Sequence, residues 1–535
     1  MCYTALLMEY IKTVSECIKN ISPIKTQGDL GIKIISVEYD SRKVTKTEKG
    51  GAAFFALPGI HTDGKKFINS AIQNGASCIF YEGELNEFKS DICYIQVENI
   101  RHVMSKVSAE FYGNPSYRLG VIGVTGTEGK SSTVSFIFQL LNLCGKKTGF
   151  FSTVEYSVDG TVIPNPEHQT TPESNIVHQR LSQMADEGCI YAVVESSSHG
   201  LSPLTARLSD VVFDAGVFMN VTQEHLEFHG TLERYRYDKA NLFRALDIPR
   251  SKKKDIPIFG VVNYEDASAS YFINATEKSV FPFSMRQQDK EKIKSMDGLL
   301  AKNIKEYSGG INFTVAEFKN GNETEHSASL KLCGLFNVKN VLAAIITVNK
   351  IAGIELKTII EKLPLLKPVK GRMTLIDEGQ NFEVIIDYAH TPSSFMTVLP
   401  PINERIKKSG GKIISVFGSG GERDLQKRPA QGRIAAEYCD IVILTDEDPR
   451  GEDSVELLEM IAAGCKNKKA GEELFIIPDR PSAIKKAFTL AKQNDAVLLL
   501  GKGHENSIIY KDKTMPYDEE TAAREILKTL KKNVM

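Results

Sequence analysis

A glycine-rich loop with a single lysine follows an apolar run in VIGVTGTEGKSST (121–133). Glycines let a backbone turn so that successive N–H groups converge on an anion, and the N-terminus of a helix adds partial positive charge. A strand, a glycine-rich loop, a lysine, a serine and a helix in this order are typical of nucleotide phosphate sites. We therefore predict that Lys130 reaches the terminal phosphates of a nucleotide and that the Ser131 hydroxyl contacts Mg²⁺.

The loop departs from the strict pattern G-x-x-x-x-G-K-[ST], because Val124 stands where that pattern has its first glycine. A carboxylate at Glu128 would also repel a triphosphate. We expect the Glu128 side chain to point outward and only its N–H to face the ligand. The alternative is a plain strand-to-helix turn. The predicted nucleotide-binding residues of the loop are Gly126, Thr127, Glu128, Gly129, Lys130, Ser131 and Ser132.

Short apolar runs that end in polar loops recur along the chain and indicate the strands that must position such a site. Helical patterns lie between them, and this alternation predicts mostly parallel α/β sheets with ligands at the carboxyl ends of the strands. Three blocks are predicted, with bounds 1–117, 118–365 and 366–535. The runs are GGAAFFALPG (50–59), SCIFYEG (77–83), RLGVIGV (118–124), IYAVVE (190–195), DVVFDAGVFMN (210–220), KIISVFG (412–418), DIVILTDED (440–448) and DAVLLLGKG (495–503).

Three helices are predicted from apolar spacing and end signals. The first is amphipathic and covers residues 1–20, and the second covers 65–75 and is closed by Gly75. The third covers 131–147, with Gly145 where a C-cap belongs and two lysines in its last turn, where they suit the helix dipole.

Composition places the chain among globular proteins and excludes several classes of function. It has 535 residues, too many for one core, of which 42% are hydrophobic and 25% charged, and its formal net charge is −1. This balance gives no field that would attract nucleic acid or an anionic membrane. Nine cysteines without a CxxC pair indicate reduced thiols. Without an export signal or a membrane-spanning run, we expect a cytoplasmic protein.

Eleven spaced motifs together resemble the Mur ligases, the ATP-dependent amide-forming enzymes of peptidoglycan precursor synthesis. The resemblance covers nearly the whole chain, with Glu128 in place of the usual Asn of the phosphate loop. The motifs are GVTGTEGKSST (123–133), TTPES (170–174), ESSSHGL (195–201), NVTQEHLEFHG (220–230), DKANLF (238–243), GLFNVKNVLAA (334–344), GRM (371–373), DYAHTP (387–392), GSGGERDLQKRP (418–429), EDPR (447–450) and GKGHE (501–505).

The resemblance implies a fold and a reaction. The fold has an N-terminal α/β uridine-nucleotide domain, a central phosphate-loop ATPase domain and a C-terminal Rossmann-like domain. ATP would phosphorylate the γ-carboxylate of D-Glu in UDP-MurNAc-L-Ala-D-Glu, and an amine would attack the acyl phosphate, giving ADP and phosphate. The last three motifs point to members that add a diamino acid as the third peptide residue.

The resemblance also implies metal ligands and catalytic residues. Ser131, Glu195 and His225 would bind one Mg²⁺, and Lys239, if carboxylated on Nζ, a second; the alternative for Lys239 is a solvated surface lysine. ESSSHG lacks the nucleophile pattern G-x-S-x-G, and nothing in the sequence marks a partnered base, so we reject a serine nucleophile. The predicted catalytic residues are Lys130, Lys239, His225 and Arg372.

The remaining ATP contacts implied by the resemblance come from the chain after residue 330. Asn337 and Asn340 would contact adenine, with helix capping as the alternative for Asn337. Asp387 would reach the ribose and Arg372 the γ-phosphate, with His390 beside them.

The resemblance assigns polar residues before residue 210 to the nucleotide-sugar substrate. Arg207 follows its motif histidine at a longer spacing than in some relatives. The predicted residues are Ser41, Thr170, Thr171, Ser197 and Arg207.

The diamino acid would lie at the ends of the last strands. Arg450 can pair with the distal carboxylate of meso-diaminopimelate, and Glu505 can accept the distal ammonium. Asp448 replaces the common Asn, and its negative charge favours the cationic tail of lysine or ornithine; EDPR could also be only a helix start. The retained Arg450 favours meso-diaminopimelate slightly. The predicted residues are Arg423, Glu447, Asp448, Arg450, Gly501 and Glu505.

Two other functions compete with this ligase. Folylpolyglutamate synthase is also a carboxylate–amine ligase, but it would need neither the diamino-acid residues nor a uridine-nucleotide domain. A nucleotide-dependent regulator would bind ATP without forming an amide. The expected partners are small molecules without nucleic acid, and the expected oligomeric state, which the sequence does not fix, is a monomer.

Overall fold

The computed structural model describes residues 10–59, 62–167, 169–222, 226–249, 252, 255–307 and 309–532. Contacts divide this chain into two compact units. Unit 1 comprises 1–300, 316–325 and 341–360, and unit 2 comprises 301–315, 326–340 and 361–535.

Unit 1 begins with a six-stranded sheet in the order β1-β3-β4-β5-β6-β2. Its inner strands pair in parallel, and its two edge strands pair antiparallel to their neighbours. The strands are β1 (Lys12–Thr13), β2 (Lys25–Gln27), β3 (Lys33–Glu38), β4 (Gly51–Phe55), β5 (Ala76–Tyr81) and β6 (Cys93–Gln96), and the helices are α1 (Val14–Ile18), α2 (Ile68–Asn74) and α3 (Ile100–Phe111).

Predictions for this first sheet are confirmed except at the N-terminus. The predicted strands at 50–59 and 77–83 are β4 and β5, and α2 ends at Gly75, whose φ of 114° suits a glycine. The helix predicted over 1–20 is confirmed in its described part only over Val14–Ile18. Lys12 and Thr13 form an edge strand, and a capping box at Thr13 starts the helix only at Val14.

The second sheet of unit 1 contains the glycine-rich loop. Its first eight strands have the order β10-β9-β8-β11-β7-β12-β13-β14 and are parallel except at β9 and β10, and three further strands continue the sheet beyond β14. The strands are β7 (Gly120–Thr125), β8 (Thr148–Phe151), β9 (Glu155–Ser157), β10 (Ile163–Pro164), β11 (Tyr191–Glu195), β12 (Ala215–Phe218), β13 (Phe259–Asn263) and β14 (Val280–Ser284). The predicted mostly parallel sheet is therefore confirmed here.

Helices cover this sheet. The helix predicted over 131–147 is shorter, because Gly145 adopts a φ of 75° and the amide of Lys146 donates to the carbonyl of Leu141. Lys146 and Lys147 thus follow the helix instead of lying in its last turn. The helices are α4 (Lys130–Leu143), α5 (Ser174–Asp186), α6 (Ser198–Leu201), α7 (Leu226–His229), α8 (Leu232–Arg244), α9 (Ala269–Ile273) and α10 (Lys290–Ser295).

Three long strands and two helices follow, which the apolar runs did not indicate. Half of β15 alternates exposed polar with half-buried residues, so it lacks the continuous apolar run of a buried strand. The elements are β15 (Leu299–Tyr307), β16 (Gly310–Lys319), β17 (Asn322–Leu330), α11 (Phe336–Ala352) and α12 (Leu356–Ile360).

The rest of unit 2 is built on a six-stranded sheet in the order β18-β19-β23-β20-β21-β22, parallel except for β18. The strands predicted at 412–418, 440–448 and 495–503 are confirmed as β20, β21 and β23. The elements are β18 (Thr374–Ile376), β19 (Glu383–Asp387), α13 (Pro392–Lys408), β20 (Ile413–Phe417), α14 (Lys427–Tyr438), β21 (Ile441–Leu444), α15 (Ser454–Ala462), β22 (Leu474–Ile476), α16 (Arg480–Leu490), β23 (Ala496–Leu500), β24 (Ser507–Ile509), β25 (Thr514–Pro516) and α17 (Glu519–Lys532).

None of the helices in the described part of the chain is both long and apolar enough to cross a bilayer.

Candidate active site

The glycine-rich loop lies at the carboxyl edge of the second sheet, between β7 and α4. The strands on either side of β7 are parallel to it, and the register places Glu195 opposite Val124 and Phe218 opposite Thr125. Because all three strands end at this edge, the residues that follow β11 and β12 flank the loop. Gly129 precedes α4 with a φ of 82°, where a side chain would be strained.

Asn220, which follows β12, occupies the amides of the loop. Its Oδ1 accepts the N–H groups of Thr127 at 3.0 Å and of Glu128 at 2.8 Å, and its Nδ2 donates to the carbonyl of Glu128 at 3.1 Å. The expectation that the Glu128 N–H faces the ligand is therefore wrong for this structure. The first-turn amides of α4 have no intrahelical acceptor and are the donors that remain.

Of the two predicted polar residues at the start of α4, Ser131 contacts its expected neighbour Glu195, and Lys130 contacts its own loop. Lys130 Nζ donates to the carbonyl of Thr127 at 2.7 Å. The Ser131 hydroxyl lies 3.1 and 3.0 Å from the two carboxylate oxygens of Glu195, which is 1% exposed. Thr153 donates its N–H and hydroxyl to the same carboxylate. A hydroxyl and a carboxylate are oxygen ligands that suit Mg²⁺.

The predicted third ligand of this metal, His225, lies outside the described residues, and so do its neighbours at 223 and 224. Among the residues that the structure describes, no group of three His, Cys, Asp or Glu side chains is arranged to hold a metal ion. The pair Ser131–Glu195 therefore fits Mg²⁺ in donor chemistry, and the role of His225 stays a prediction.

Lys239 on α8 is buried at this site. Its Nζ donates to the carbonyl of Gly126 at 2.6 Å and lies 4.4 Å from the centre of the Tyr235 ring. The alternative of a solvated surface lysine is wrong, because the residue is 1% exposed. A carboxylated Nζ keeps one N–H, so the bond to Gly126 is compatible with the predicted modification, which stays a prediction.

A buried chain of side chains joins the ESSSHG motif to α8. His229 Nε2 lies 3.0 Å from Ser198 Oγ, and His229 Nδ1 lies 2.9 Å from Asp238 Oδ2. The statement that no base accompanies these serines is thus corrected, because His229 is such a partner. The rejection of a serine nucleophile still holds, since all three residues are buried and their hydrogen bonds are internal.

Three of the predicted nucleotide-sugar residues lie together next to Glu195. The Ser197 hydroxyl donates to Thr171 Oγ1 at 2.9 Å, and Thr171 Oγ1 donates to the carbonyl of Glu195 at 2.8 Å. Arg207 donates to the Thr171 carbonyl at 3.0 Å and forms an ion pair with Glu173 at 2.8 Å.

The other two residues of this set lie outside that cluster. Ser41 starts the 3₁₀ turn Ser41–Lys43, and its carbonyl accepts the side-chain amide of Asn74. No hydrogen bond among the described residues joins Ser41 or Thr170 to Ser197.

In unit 2, the predicted adenine contacts lie in the first turns of α11. Asn337 Nδ2 donates to the carbonyl of Cys333 at 2.7 Å, and Asn340 Nδ2 donates to Asn337 Oδ1 at 3.1 Å. The capping alternative for Asn337 is wrong, because α11 already begins at Phe336 and this side chain donates instead of accepting an amide.

Arg372 and Asp387 meet at the end of β19. Asp387 accepts the amides of Met373 at 2.9 Å and Ala389 at 2.8 Å, and burial raises the pKa of its carboxyl although Arg372 opposes the shift. The guanidinium of Arg372 lies 4.8 Å from the centre of the Tyr388 ring. His390 Nδ1 bonds to the carbonyl of Tyr388 at 2.9 Å, so the expected neighbours of Arg372 are present.

Two of the predicted diamino-acid residues are held by a lysine that sequence reasoning left unassigned. Lys502, which is fully buried, donates from Nζ to Asp448 Oδ1 at 2.9 Å and to Glu505 Oε2 at 2.6 Å. Asp448 also accepts the amide of Ile509 at 2.9 Å. One ammonium thus faces two carboxylates, so Lys502, Asp448 and Glu505 together keep one net negative charge, and the effect of Asp448 on the choice of amino acid stays a prediction.

The remaining residues of this set include polar atoms without a partner. Glu447 is 8% exposed, its Oε2 accepts no hydrogen bond, and burial raises the pKa of its carboxyl. A Cβ at Gly501 would lie 2.5 Å from that oxygen. Within the described part of unit 2, buried polar atoms near these strand ends that lack a hydrogen-bond partner are Glu447 Oε2, Arg450 Nε, Arg372 Nε, His504 Nδ1, Ser419 Oγ and Gln431 Oε1.

Arg423 lies on a loop that pairs with the EDPR segment, since Gly420 forms a β-bridge with Asp448. Arg423 precedes α14, and Gly420 packs near its Cγ. Arg450 has a φ of 53°, and its amide donates to the carbonyl of Ile509 at 2.9 Å. The alternative that EDPR is only a helix start is wrong, because α15 begins at Ser454 with Asp453 as its N-cap.

Sequence reasoning missed several residues that contact these sites. All but one stand inside motifs that were recognised, so their polar type within a motif was the available signal. Thr153 lies in no motif and carried none. The missed residues are Thr153, Glu173, Asn220, His229, Tyr388, Lys502, His504 and the buried Asp238 beside Lys239.

Three family models match consecutive segments of the chain. The model described as Mur ligase family, catalytic domain, matches residues 33–112, and the Mur ligase middle domain matches 124–348. The model described as Mur ligase, glutamate ligase domain, matches 371–503.

Similar proteins extend along nearly the whole chain. The UDP-N-acetylmuramyl-tripeptide synthetase of Treponema denticola is 71% identical over 97% of this chain and 98% of its own. The UDP-N-acetylmuramoyl-L-alanyl-D-glutamate–2,6-diaminopimelate ligase of Clostridium tetani is 36% identical over 97% and 99%. A solved structure of a ligase of the latter name has a TM-score of 0.62 at 26% identity, covering 97% of this chain and 99% of that one. The chain belongs to the Mur ligase family and has its three-domain α/β fold.

Proposed function

We propose that the protein is an ATP-dependent ligase that adds a diamino acid to UDP-MurNAc-L-Ala-D-Glu in peptidoglycan precursor synthesis. The observation that carries the proposal is the edge formed by β7, β11 and β12, where Lys130, Ser131, Glu195 and Lys239 converge on one loop. The printed names of the similar proteins support the substrate and the product.

Unit 1 supplies the residues for phosphoryl transfer, a reaction that depends on positioning and charge neutralisation. Bound Mg²⁺ would neutralise phosphate charge, and Ser131 and Glu195 would hold it. Lys130 would exchange the Thr127 carbonyl for a phosphate oxygen. Thr153 orients Glu195 by donating two hydrogen bonds to its carboxylate.

The cluster of Thr171, Ser197 and Arg207 would hold the acceptor end of the nucleotide-sugar. It adjoins Glu195 through the bond from Thr171 Oγ1 to the Glu195 carbonyl. This link supports a substrate position beside the proposed metal ligand. Ser41 and Thr170 remain proposed contacts to the same substrate.

The polar edge of unit 2 would hold the diamino acid. An amino acid with two charged ends can satisfy groups of both signs, and the partnerless atoms of Glu447 and Arg450 are of opposite sign. Because Asp448 Oδ1 already bonds to Lys502 and to the Ile509 amide, we give the substitution of Asn by Asp less weight than the retained Arg450. We therefore propose meso-diaminopimelate first, with lysine and ornithine as the alternatives.

The bounds 1–117, 118–365 and 366–535 and a cytoplasmic location belong to this proposal. The Asn337, Asn340, Arg372 and Asp387 contacts to ATP do so as well. Each of these four side chains lies at a helix start or strand end of unit 2, which is where ligands bind in α/β sheets.

Phosphate release tests the proposal. The purified protein is incubated with ATP, Mg²⁺ and UDP-MurNAc-L-Ala-D-Glu, and separately with meso-diaminopimelate, lysine or ornithine. We expect one diamino acid to stimulate release strongly and to appear in the product by mass spectrometry. Stimulation by glutamate on a folate substrate would favour folylpolyglutamate synthase, and ATP binding without any amide product would favour a regulator.

A further inference from the structure

Asn220 holds the phosphate loop from the neighbouring strand. β12 runs parallel to β7 with Phe218 opposite Thr125, and the amide of Met219 donates to the carbonyl of Thr125 at 2.9 Å. The chain that leaves β12 therefore runs beside the loop that leaves β7. This places the Asn220 side chain against the loop backbone.

Four hydrogen bonds fix the two chains together. Oδ1 of Asn220 accepts both Thr127 and Glu128 amides, its main-chain carbonyl accepts the Thr127 amide at 2.9 Å, and its Nδ2 donates to the Glu128 carbonyl. A phosphate oxygen that replaced Oδ1 at these amides would displace the Asn220 side chain, and its bonds to Thr127 and Glu128 would be lost. The replacement would then cost several hydrogen bonds to gain two.

The charge of Glu128 opposes such a replacement as well. A phosphate held by the amide of Glu128 would lie within a few ångströms of the carboxylate of the same residue, and like charges at that range repel. The first turn of α4 carries no such anion, offers amides without intrahelical acceptors, and has the positive end of the helix dipole.

We infer that Asn220 is a positioning residue that withholds the Thr127 and Glu128 amides from the nucleotide. The phosphate is thereby directed to the amides of 129–132 and to Lys130. The inference rests on the proposed function, because it concerns how the same loop holds ATP. It also explains how this loop can carry Glu128. The phosphate is kept away from the N–H of the same residue, where it would approach the Glu128 carboxylate.

The affinity for Mg²⁺-ADP, measured by calorimetry on the full chain, tests the inference. Asn220→Ala removes three of the four hydrogen bonds, so binding would have to order the loop, and we expect affinity to fall about tenfold. Asn142→Ala is the matched control, since Asn142 makes three comparable bonds to Phe138 and Thr148 at the far end of α4. The control should change affinity less than twofold.

A second pair of variants tests the charge argument. Glu128→Gln alone should change ADP affinity less than twofold, whereas in the Asn220→Ala background it should recover about threefold. If Asn220→Ala does not fold, as judged by its melting temperature, Asn220→Ser gives the same comparison.

Two results would overturn the inference. One is an Asn220 variant that binds ADP as tightly as the wild type or more tightly, because Asn220 would then merely compete with phosphate. The other is an equal loss in Asn142→Ala. A wild type that binds ADP but forms no amide rejects the proposed function instead, and the ratio of affinities still decides the role of Asn220.

Discussion

The phosphate-loop edge of unit 1 and the strand-end edge of unit 2 differ in how their charged groups are satisfied. At the first edge, Lys130, Glu195 and Lys239 each hydrogen-bond to a protein partner, and the buried atoms of the described residues without one are the hydroxyls of Thr125 and Thr222. At the second, several buried polar atoms of the described chain lack one, Glu447 Oε2 and Arg450 Nε among them.

This difference separates two ways of building a binding site. A self-satisfied loop is held in shape before its ligand arrives, and little order has to be gained on binding. Buried atoms without partners instead carry a cost that only water or a ligand relieves. The first edge therefore sets geometry, and the second is the place where ligand chemistry is selected.

The largest effect should come from removing the Lys130 ammonium at the phosphate-loop edge of unit 1. Lys130→Ala should lower turnover at least a thousandfold, because charge neutralisation dominates phosphoryl transfer. Phosphate release with all three substrates measures it. Lys146→Ala, just past the other end of α4, is the control and should keep turnover within twofold. A Lys130→Ala enzyme with near-normal turnover would remove the phosphate loop from the reaction.

The next effect concerns Lys502, a buried lysine of the second edge that is paired with two acids. Lys502→Met leaves Asp448 and Glu505 facing each other without their cation, and we expect a loss of about 2–3 kcal/mol in stability. Chemical denaturation followed by circular dichroism measures the loss. Lys502→Met with Asp448→Asn should recover about half of it, because one of the two anions is gone. No loss in the single variant would mean that Lys502 is not needed to balance these acids.

A pH effect separates the two edges further. Burial, with Arg372, Lys370 and Lys502 adding to it, lowers the pKa of His504 to about 3. A lowered histidine pKa contributes stability above the unfolded value of about 6.5 that is lost as pH falls toward 3. His504→Gln should therefore lose less stability than the wild type between pH 6.5 and 5, by about 1–2 kcal/mol.

Melting temperatures across this range measure the His504 effect. Burial also lowers the pKa of His178, in unit 1, to about 3. His178→Gln should flatten the acid profile in the same way, so the pair shows whether both units contribute to acid sensitivity. Parallel profiles for wild type and His504→Gln would contradict the buried neutral state of this ring.

The smallest effect should come from the substitution that looks most important in the sequence. Asp448→Asn should change the preference between meso-diaminopimelate, lysine and ornithine less than threefold, because Asp448 Oδ1 is already bonded to Lys502 and to the Ile509 amide. Competition between the three amino acids, with products quantified by mass spectrometry, measures this preference. A tenfold change would show that Asp448 faces the amino acid directly. Arg450→Ala is the comparison variant and should change the preference more.

Much of the fold follows from sequence because buried parallel strands are continuous apolar runs. β7, β11, β20, β21 and β23 were all predicted in this way. The strands β15 to β17 were not, since polar residues interrupt their apolar positions and leave no continuous apolar run. The N-terminal edge strand was mistaken for helix because two residues carry too little periodicity to oppose an amphipathic pattern.

The candidate site was predicted in residue types but not in partners. Ser131 and Glu195 were placed together correctly, because neighbouring parallel strands end at one edge. The contacts of Asn220 with the loop amides and of Lys502 with Asp448 join segments that are far apart in sequence. They depend on how far each side chain reaches in the folded protein. The spacing of residues along the sequence does not show which side chains are close enough to bond.

The chain Ser198–His229–Asp238 has a consequence for how enzymes are recognised from coordinates. A search for these three side chains by distance alone would return a serine hydrolase, since the order of bonds is the same. Here the Ser198 hydroxyl is buried. Through His229 it is linked to Asp238 on α8, next to Lys239, so the arrangement has a structural role. The solvent accessibility of the hydroxyl is the quantity that distinguishes a serine nucleophile from a serine with a structural role.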